Sequence, residues 1–230
     1  GYFGLRYPES VGGMDADFVT YCMMIEELAR GSLSLGAVVA MQTLMGTDLV
    51  FRFGSDDHRK RLVEPALRGE KIGTIAMTEP DFGSDLGGIV TRATPTEGGW
   101  IITGQKMWIT SATMADFFTV AAKTDPEAGF KGIDFFLVEK GMPGVRVGRK
   151  INKLGVRASE TSELILDNVK VQAANLLGKQ GTGFKNLGEI LCQIRVMTGA
   201  LALWLGQAAL DSAIKYSNER QQFGSPIATF

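Results

Sequence analysis

The spacing of apolar residues changes period twice along the 230 residues. From Asp15 to about Arg68 it is helical. Phe18, Cys22, Ile25 and Leu28 share one stripe, Gly31 stops it, and Leu35 to Phe53 make a second helix that ends at Gly54. Ser55 stands where it caps a third helix carrying Leu62, Val63 and Leu67. From Ile72 to about Val171 the period falls to two, in short runs at Ile89–Thr94, Trp100–Thr103, Lys106–Thr110, Phe117–Lys123, Asp134–Val138 and Glu163–Leu166. Turn-forming residues separate them at Pro95–Gly99, Gly104-Gln105, Asp125–Gly129 and Asp167-Asn168, which predicts a compact antiparallel sandwich or barrel. From Gly183 to Glu219 helical spacing returns, with Leu187, Leu191, Ile194, Leu201, Leu205, Ala209 and Ile214 on one stripe, read as a buried helix. The predicted class is α+β: an N-terminal helical domain (1–70), a middle antiparallel β-barrel or sandwich domain (71–175) and the start of a C-terminal helical bundle (176–230).

Composition narrows the function by exclusion. Lys plus Arg number 24 against 25 Asp plus Glu, and no basic run occurs, so nucleic-acid binding by charge is not expected. The apolar stretch from Val196 to Leu210 is broken by Gly199, Gly206 and Gln207, short of the about 18 continuous residues of a membrane span. Cys22 and Cys192 lie in apolar helical patterns and read as buried free thiols, and two cysteines with one histidine do not make a structural zinc site. His58 is expected on a solvated helix start. The start at Gly1 and the end at Phe230 read as a fragment, which leaves a targeting segment unobserved. Gly181-Thr182-Gly183 lacks the glycine spacing and βαβ setting of a dinucleotide fingerprint.

The chemistry concentrates in two segments. In Met77-Thr78-Glu79-Pro80-Asp81-Phe82-Gly83-Ser84-Asp85 the proline disfavours helix before it and Gly83 gives a flexible corner, so the run from Ile72 to Met77 turns sharply and leaves the Thr78 hydroxyl and N–H free. The N–H groups of Gly83 and Ser84 then form a concavity suited to a phosphate or a ring carbonyl oxygen. In Gln105-Lys106-Met107-Trp108-Ile109-Thr110, Trp108 and Thr110 are two apart, which on a strand puts an indole wall and a hydroxyl on one face.

These two segments, in this order and spacing, resemble the flavin-binding segments of the acyl-CoA dehydrogenase family. The resemblance extends over nearly the whole chain: Tyr7-Pro8-Glu9-Ser10-Val11-Gly12-Gly13, Glu26-Glu27-Leu28-Ala29, Phe136-Leu137-Val138-Glu139-Lys140-Gly141, Lys153-Leu154-Gly155-Val156-Arg157 and Glu219-Arg220-Gln221-Gln222-Phe223-Gly224 all match. It implies FAD as cofactor, an acyl-CoA thioester as substrate, a trans-2-enoyl-CoA as product, and an electron-transferring flavoprotein as acceptor. It also implies a homo-oligomer, a dimer of dimers, in the bacterial cytoplasm or the mitochondrial matrix. An acyl-CoA oxidase or flavin monooxygenase on the same scaffold, and a non-catalytic partner chain, are the alternatives.

Carried over by position, the cofactor site falls on Ile75, Ala76, Met77, Thr78, Gly83, Ser84, Trp108, Ile109 and Thr110. Met77 and Thr78 meet the pyrimidine edge of the flavin ring, Trp108 packs on it and Thr110 approaches N5. Arg220, Gln222 and Phe223 reach the FAD of a neighbouring subunit. Ser84 and Arg195 fall at substrate positions, and Arg195, interrupting an apolar stripe, is expected to have an anionic partner. No catalytic residue is assigned. The family's base is a glutamate beyond Phe230 or, in a minority, at the position held here by Ile194, which accepts no proton, and Glu189 points about 140° away from that face. Gly36, where dicarboxyl-CoA members carry an arginine, argues against a glutaryl-type substrate, and Ala37, Val38, Met41 and Leu44 predict an apolar lining.

Overall fold

The computed structural model describes residues 1–230. Helix α1 (Phe18–Gly31) begins where Asp17 accepts a 2.7 Å hydrogen bond from Thr20 N, and buries Tyr21, Ile25 and Ala29. Helix α2 (Leu33–Phe53) begins at Ser32, which accepts from Leu35 N, and ends before Gly54. Its middle, Met41–Thr47, is wound as π-helix. There Thr43 and Thr47 donate back to the Val39 and Thr43 carbonyls at 2.6 and 2.9 Å. The Gln42 amide donates to Lys71 O at 2.9 Å and accepts from Gly73 N at 3.2 Å, tying this turn to the first strand. Helix α3 (residues 56–67) starts at Ser55, which accepts from His58 N. His58 is not solvated as expected. It is buried, with its ring accepting from Ser55 N, and burial followed by the Arg61 cation holds its pKa below the usual value.

A curled seven-stranded sheet follows: β1 (Gly73–Ala76), β2 (Arg92–Thr96), β3 (Gly99–Thr110), β4 (Phe117–Lys123), β5 (Ile133–Glu139), β6 (Val145–Val147) and β7 (Thr161–Gln172). The sheet is mixed rather than purely antiparallel, because β4 runs parallel to both β1 and β2. The two expected runs at Trp100–Thr103 and Lys106–Thr110 are one strand. The turn residues between them, Gly104-Gln105, lie inside it, and Asp167-Asn168 lies inside β7. Both signals mark the place where β3 and β7 slip register between Ile102 and Gly104, with Asn168 at φ 52°. A Cβ on Gly104 would stand 2.3 Å from Thr91 Oγ1, so the close crossing requires glycine.

Strand β4 has no solvent face. Phe117 and Ala121 belong to a core of 26 residues that also holds residues of α1, α2, α3 and the last long helix. Phe118, Val120 and Ala122 belong to a second core of 16 residues inside the curl of the sheet. Where α2 meets β1 the backbones touch: a Cβ on Gly46 would stand 2.3 Å from Gly73 O, and one on Gly73 would stand 2.6 Å from Gly46 O.

Helix α4 (Gly183–Glu219) starts on a buried carboxylate, Asp134, which accepts from Gly181 N and Gly183 N at 2.9–3.0 Å. Its first half packs through Leu187, Ile190, Ile194, Met197 and Leu201. The second half departs from the expected buried helix, since Leu203, Leu205, Leu210 and Ile214 are exposed. By length and composition alone α2 and α4 are long and apolar enough to cross a membrane, but α2 packs largely inside the fold. Both thiols are free, yet Cys192 is exposed rather than buried and Cys22 is half-buried. A short hairpin, β8 (Gln221–Gln222) and β9 (Ser225–Pro226), ends the chain.

Candidate functional site

The two motif segments meet. Ile75, Met77 and Thr78 at the end of β1 and Trp108, Ile109 and Thr110 at the end of β3 line one cleft, closed on the helical side by Met41 and Met45 of α2. Its volume of about 80 Å³ is well below the roughly 300–1,000 Å³ of an enclosing ligand pocket. It is one wall of a site rather than a chamber.

The wall has the shape a flat ring needs. Trp108 sits at φ 62° and is 56% exposed, an unusual conformation for so bulky a residue. It lies in a bulge, because the β3–β7 register shifts between Lys106 and Ile109. That bulge, and not simple alternation, brings Trp108 and Thr110 to the cleft, for Ile109 between them lines it too. Thr78 N makes no backbone hydrogen bond, while its carbonyl accepts from Met107 N at 2.8 Å. The N–H groups of Gly83 and Ser84 are likewise free of backbone partners. A flat apolar wall with the unpaired Thr78 N–H at its edge fits an isoalloxazine ring with polar carbonyl and ring-nitrogen atoms.

Other expected positions lie elsewhere. The Ala76 side chain faces the core inside the sheet. Gly83 and Ser84 are exposed on the loop after Thr78, outside the cleft lining. Arg195 is exposed and makes no ion pair with a carboxylate of this chain, which leaves an anion as the partner expected for it. Ile194 next to it is in the core. Arg220, Gln222 and Phe223 are exposed beyond α4. From Leu201, the last buried residue of that helix, Arg220 is about 28 Å farther along the axis. Of the four residues expected as apolar lining, only Met41 reaches this cleft. Ala37 and Leu44 are buried, and Val38 borders a separate cavity with Gln42 and Ser111. Gly36 packs against Ala29 and Leu201, where a Cβ would stand 2.9 Å from a Leu201 methyl, so helix packing accounts for it.

One feature had no sequence signal. Glu79 and Lys106, whose side chains are 1% and 0% exposed, form a 2.8 Å ion pair behind the cleft. Lys106 also donates to Met77 O at 3.0 Å, and Glu79 accepts from Val90 N at 2.6 Å and Thr91 N at 3.0 Å. Burial pushes the Lys106 ammonium down to about 8, against the pull of Glu79. Burial raises Glu79, but the Lys106 cation and the N–H donors outweigh it and hold the carboxyl below its usual value of 4.5. A depressed carboxyl stabilises the fold above the unfolded pKa. This contribution is therefore present above pH 4.5 and lost as pH falls through the folded value. Melting temperatures measured from neutral pH down to acid should fall less steeply in Glu79→Gln/Lys106→Met than in the parent. Equal slopes would remove Glu79 from the acid response.

Residues 1–70, 74–169 and 181–230 match, in turn, the acyl-CoA dehydrogenase N-terminal, middle and C-terminal domains, and the chain belongs to the acyl-CoA dehydrogenase family. The family is one of FAD-dependent oxidoreductases. Benzylmalonyl-CoA dehydrogenase of Aromatoleum aromaticum is 51% identical over the whole chain and 60% of its own length. Butyryl-CoA dehydrogenase of Megasphaera elsdenii superposes with a TM-score of 0.95 at 35% identity, over 100% of this chain and 61% of that one. A structure described as PigA with FAD and proline superposes with a TM-score of 0.96 at 31% identity, over 100% and 61%. The chain thus spans about 60% of the length of these relatives, and its relatives include bacterial and mitochondrial proteins.

Proposed function

We propose that the complete protein binds FAD against the Thr78–Trp108 cleft and oxidises an acyl-CoA thioester to a trans-2-enoyl-CoA, passing electrons to an electron-transferring flavoprotein. The observation that carries this is the meeting of Met77 and Thr78 with Trp108 and Thr110 in one cleft, from segments about thirty residues apart. Bound there, FAD supplies the oxidant that takes the β-hydrogen as hydride. Trp108 covers one ring face and excludes water from it. Thr78 offers its hydroxyl and N–H, and Met77 its backbone, to the ring's polar edge. Thr110 offers a hydroxyl from the far end of the same wall.

No carboxylate lines the cleft. Glu79 is engaged by Lys106 and two backbone N–H groups, and Glu189 is exposed. We therefore place the proton acceptor outside these 230 residues. Arg220, Gln222 and Phe223 project well beyond the packed half of α4. That position suits contact with the cofactor of a second subunit, so a homo-oligomer belongs to the proposal, with a dimer of dimers as its family form. The acyl group is proposed to be largely apolar, in keeping with Met41 and Met45 at the cleft, and the relative named for benzylmalonyl-CoA, an acyl group with a phenyl ring and a free carboxylate, makes phenyl-bearing acyl groups with and without that carboxylate the first to try.

The test is anaerobic addition of butyryl-CoA, isovaleryl-CoA, phenylpropionyl-CoA and benzylmalonyl-CoA to the purified full-length protein loaded with FAD. Bleaching of the flavin band by one of them, with turnover on an artificial acceptor, is the expected result. Turnover with oxygen alone would make the protein an oxidase, and a band that no thioester bleaches would overturn the dehydrogenase reading. Trp108→Ala is expected to raise the FAD dissociation constant about tenfold through loss of ring packing, measured by flavin fluorescence titration.

A further inference from the structure

Charges are rarely placed where Lys106 and Glu79 are. Taking two ions out of water carries a large desolvation cost, and a well-packed apolar pair of the same volume is commonly as stable or more so. Stability alone is therefore a weak reason for this pair, and its connections suggest another. Lys106 Nζ bridges Glu79 Oε1 and the Met77 carbonyl. Glu79 in turn holds Val90 N and Thr91 N, the point where the loop that left Thr78 comes back to the sheet. The pair thus closes the loop of residues 78–91 at both ends. The closure leaves little slack, because Thr91 Oγ1 is buried against Gly104 of β3 without a hydrogen-bond partner.

The other end of the network is the bulge. Lys106 is pinned by its ion pair and Ile109 by burial in the core inside the sheet, and the register slips between them. Met107 and Trp108 have to loop out, which drives Trp108 to φ 62°. A bulky residue in that conformation is strained and persists only where its surroundings over-determine it. Met107 N then bonds Thr78 O at 2.8 Å, so Met77, Thr78 and Trp108 each lie within two residues of a buried ion.

We propose that the buried Glu79–Lys106 pair is a positioning unit for the flavin, fixing the Met77–Thr78 strand end against the bulged Trp108 so that cofactor affinity depends on the pair separately from fold stability. The inference rests on the reading of the cleft as a flavin site.

The test uses full-length protein: the parent, Lys106→Met, the double variant Glu79→Gln/Lys106→Met, and Leu166→Ala. Leu166 is buried in the core inside the sheet and does not line the cleft, so its variant serves as a control for general destabilisation. For each, the melting temperature of the FAD-free protein, the FAD dissociation constant and the visible spectrum of bound flavin are measured. Lys106→Met is expected to melt lower and bind FAD about tenfold or more weakly, whereas Leu166→Ala melts lower but binds within about twofold of the parent. The double variant, with no unpaired ion, is expected to regain the melting temperature while keeping the weakened affinity and an altered flavin band. Affinity that returns together with melting temperature, or a Leu166→Ala loss equal to that of Lys106→Met, overturns the positioning role. The comparison of Lys106→Met with Leu166→Ala decides the question even if the double variant does not fold. A parent that binds no FAD refutes the flavin reading of the cleft instead.

Discussion

Phe117→Ala is expected to lower the free energy of unfolding by about 3–5 kcal/mol, the range for deleting a fully buried ring. The ring has no exposed surface. It fills the space left by the missing side chain of Gly73, where a Cβ would stand 2.4 Å from the ring. The surroundings have little freedom to close over the hole. Strand β4 is hydrogen-bonded to β1 and β5, and its opposite face is held by Phe118, Val120 and Ala122 in the other core. Relaxation is therefore small and the cavity penalty large. Urea denaturation of the parent, Phe117→Leu and Phe117→Ala should give a graded series with the alanine variant last. A loss below about 1 kcal/mol for Phe117→Ala would mean that β4 can shift, contrary to its burial on both faces.

Gly46→Val should produce the second large effect, and a different one. The first added carbon would stand 2.3 Å from Gly73 O and 2.8 Å from Gly73 C, both backbone atoms that no rotamer change can move. Helix α2 has to lift from β1. Overpacking of this kind costs about 1–3 kcal/mol, sometimes more. The helix carries Met41 and Met45, which face Thr74 and Ile75 of β1 across the cleft, so lifting it also separates the two sides of the site. The full-length Gly46→Val protein is expected to unfold at lower urea and to bind FAD more weakly than the parent. Gly73→Ala should act in the same direction from the other side of the contact. Unchanged stability in Gly46→Val would show that the two backbones are not in contact.

What could be read from the chain, and what could not, follows the range of the forces involved. Helix starts at Asp17, Ser32 and Ser55 and the stop at Gly31 depend on neighbours within four residues, and the third helix carries its cap where sequence placed it. The turn at Glu79-Pro80 is equally local. Parallel pairing of Gly73 with Phe117, by contrast, joins residues 44 apart in sequence, and no local pattern encodes it. Turn residues at Gly104-Gln105 misled because glycine serves a close crossing as well as a turn. Trp108 was legible as a flat wall, but its left-handed backbone comes from Lys106 and Ile109 being fixed on either side. Glu79 and Lys106 each look like ordinary surface residues until the fold brings them together. Periodicity gives the face of a helix and not what the neighbouring element puts there, as at Gly36, which packs against Leu201. The apolar residues of the second half of α4 are likewise periodic without being covered in this chain.

The two-sided burial of β4 also bears on how this protein could be taken apart. Cutting residues 71–175 free as a module would keep every strand of the large sheet and the core inside it. It would also strip the cover from Ile75, Phe117, Ala121, Ile133, Phe135 and Leu137, which pack against the helices. That face is a contiguous apolar surface with aromatic residues at its centre, of the kind that drives association of isolated fragments. A soluble flavin-binding module made from this fold would need that outer face redesigned, while the inner one could be left as it is.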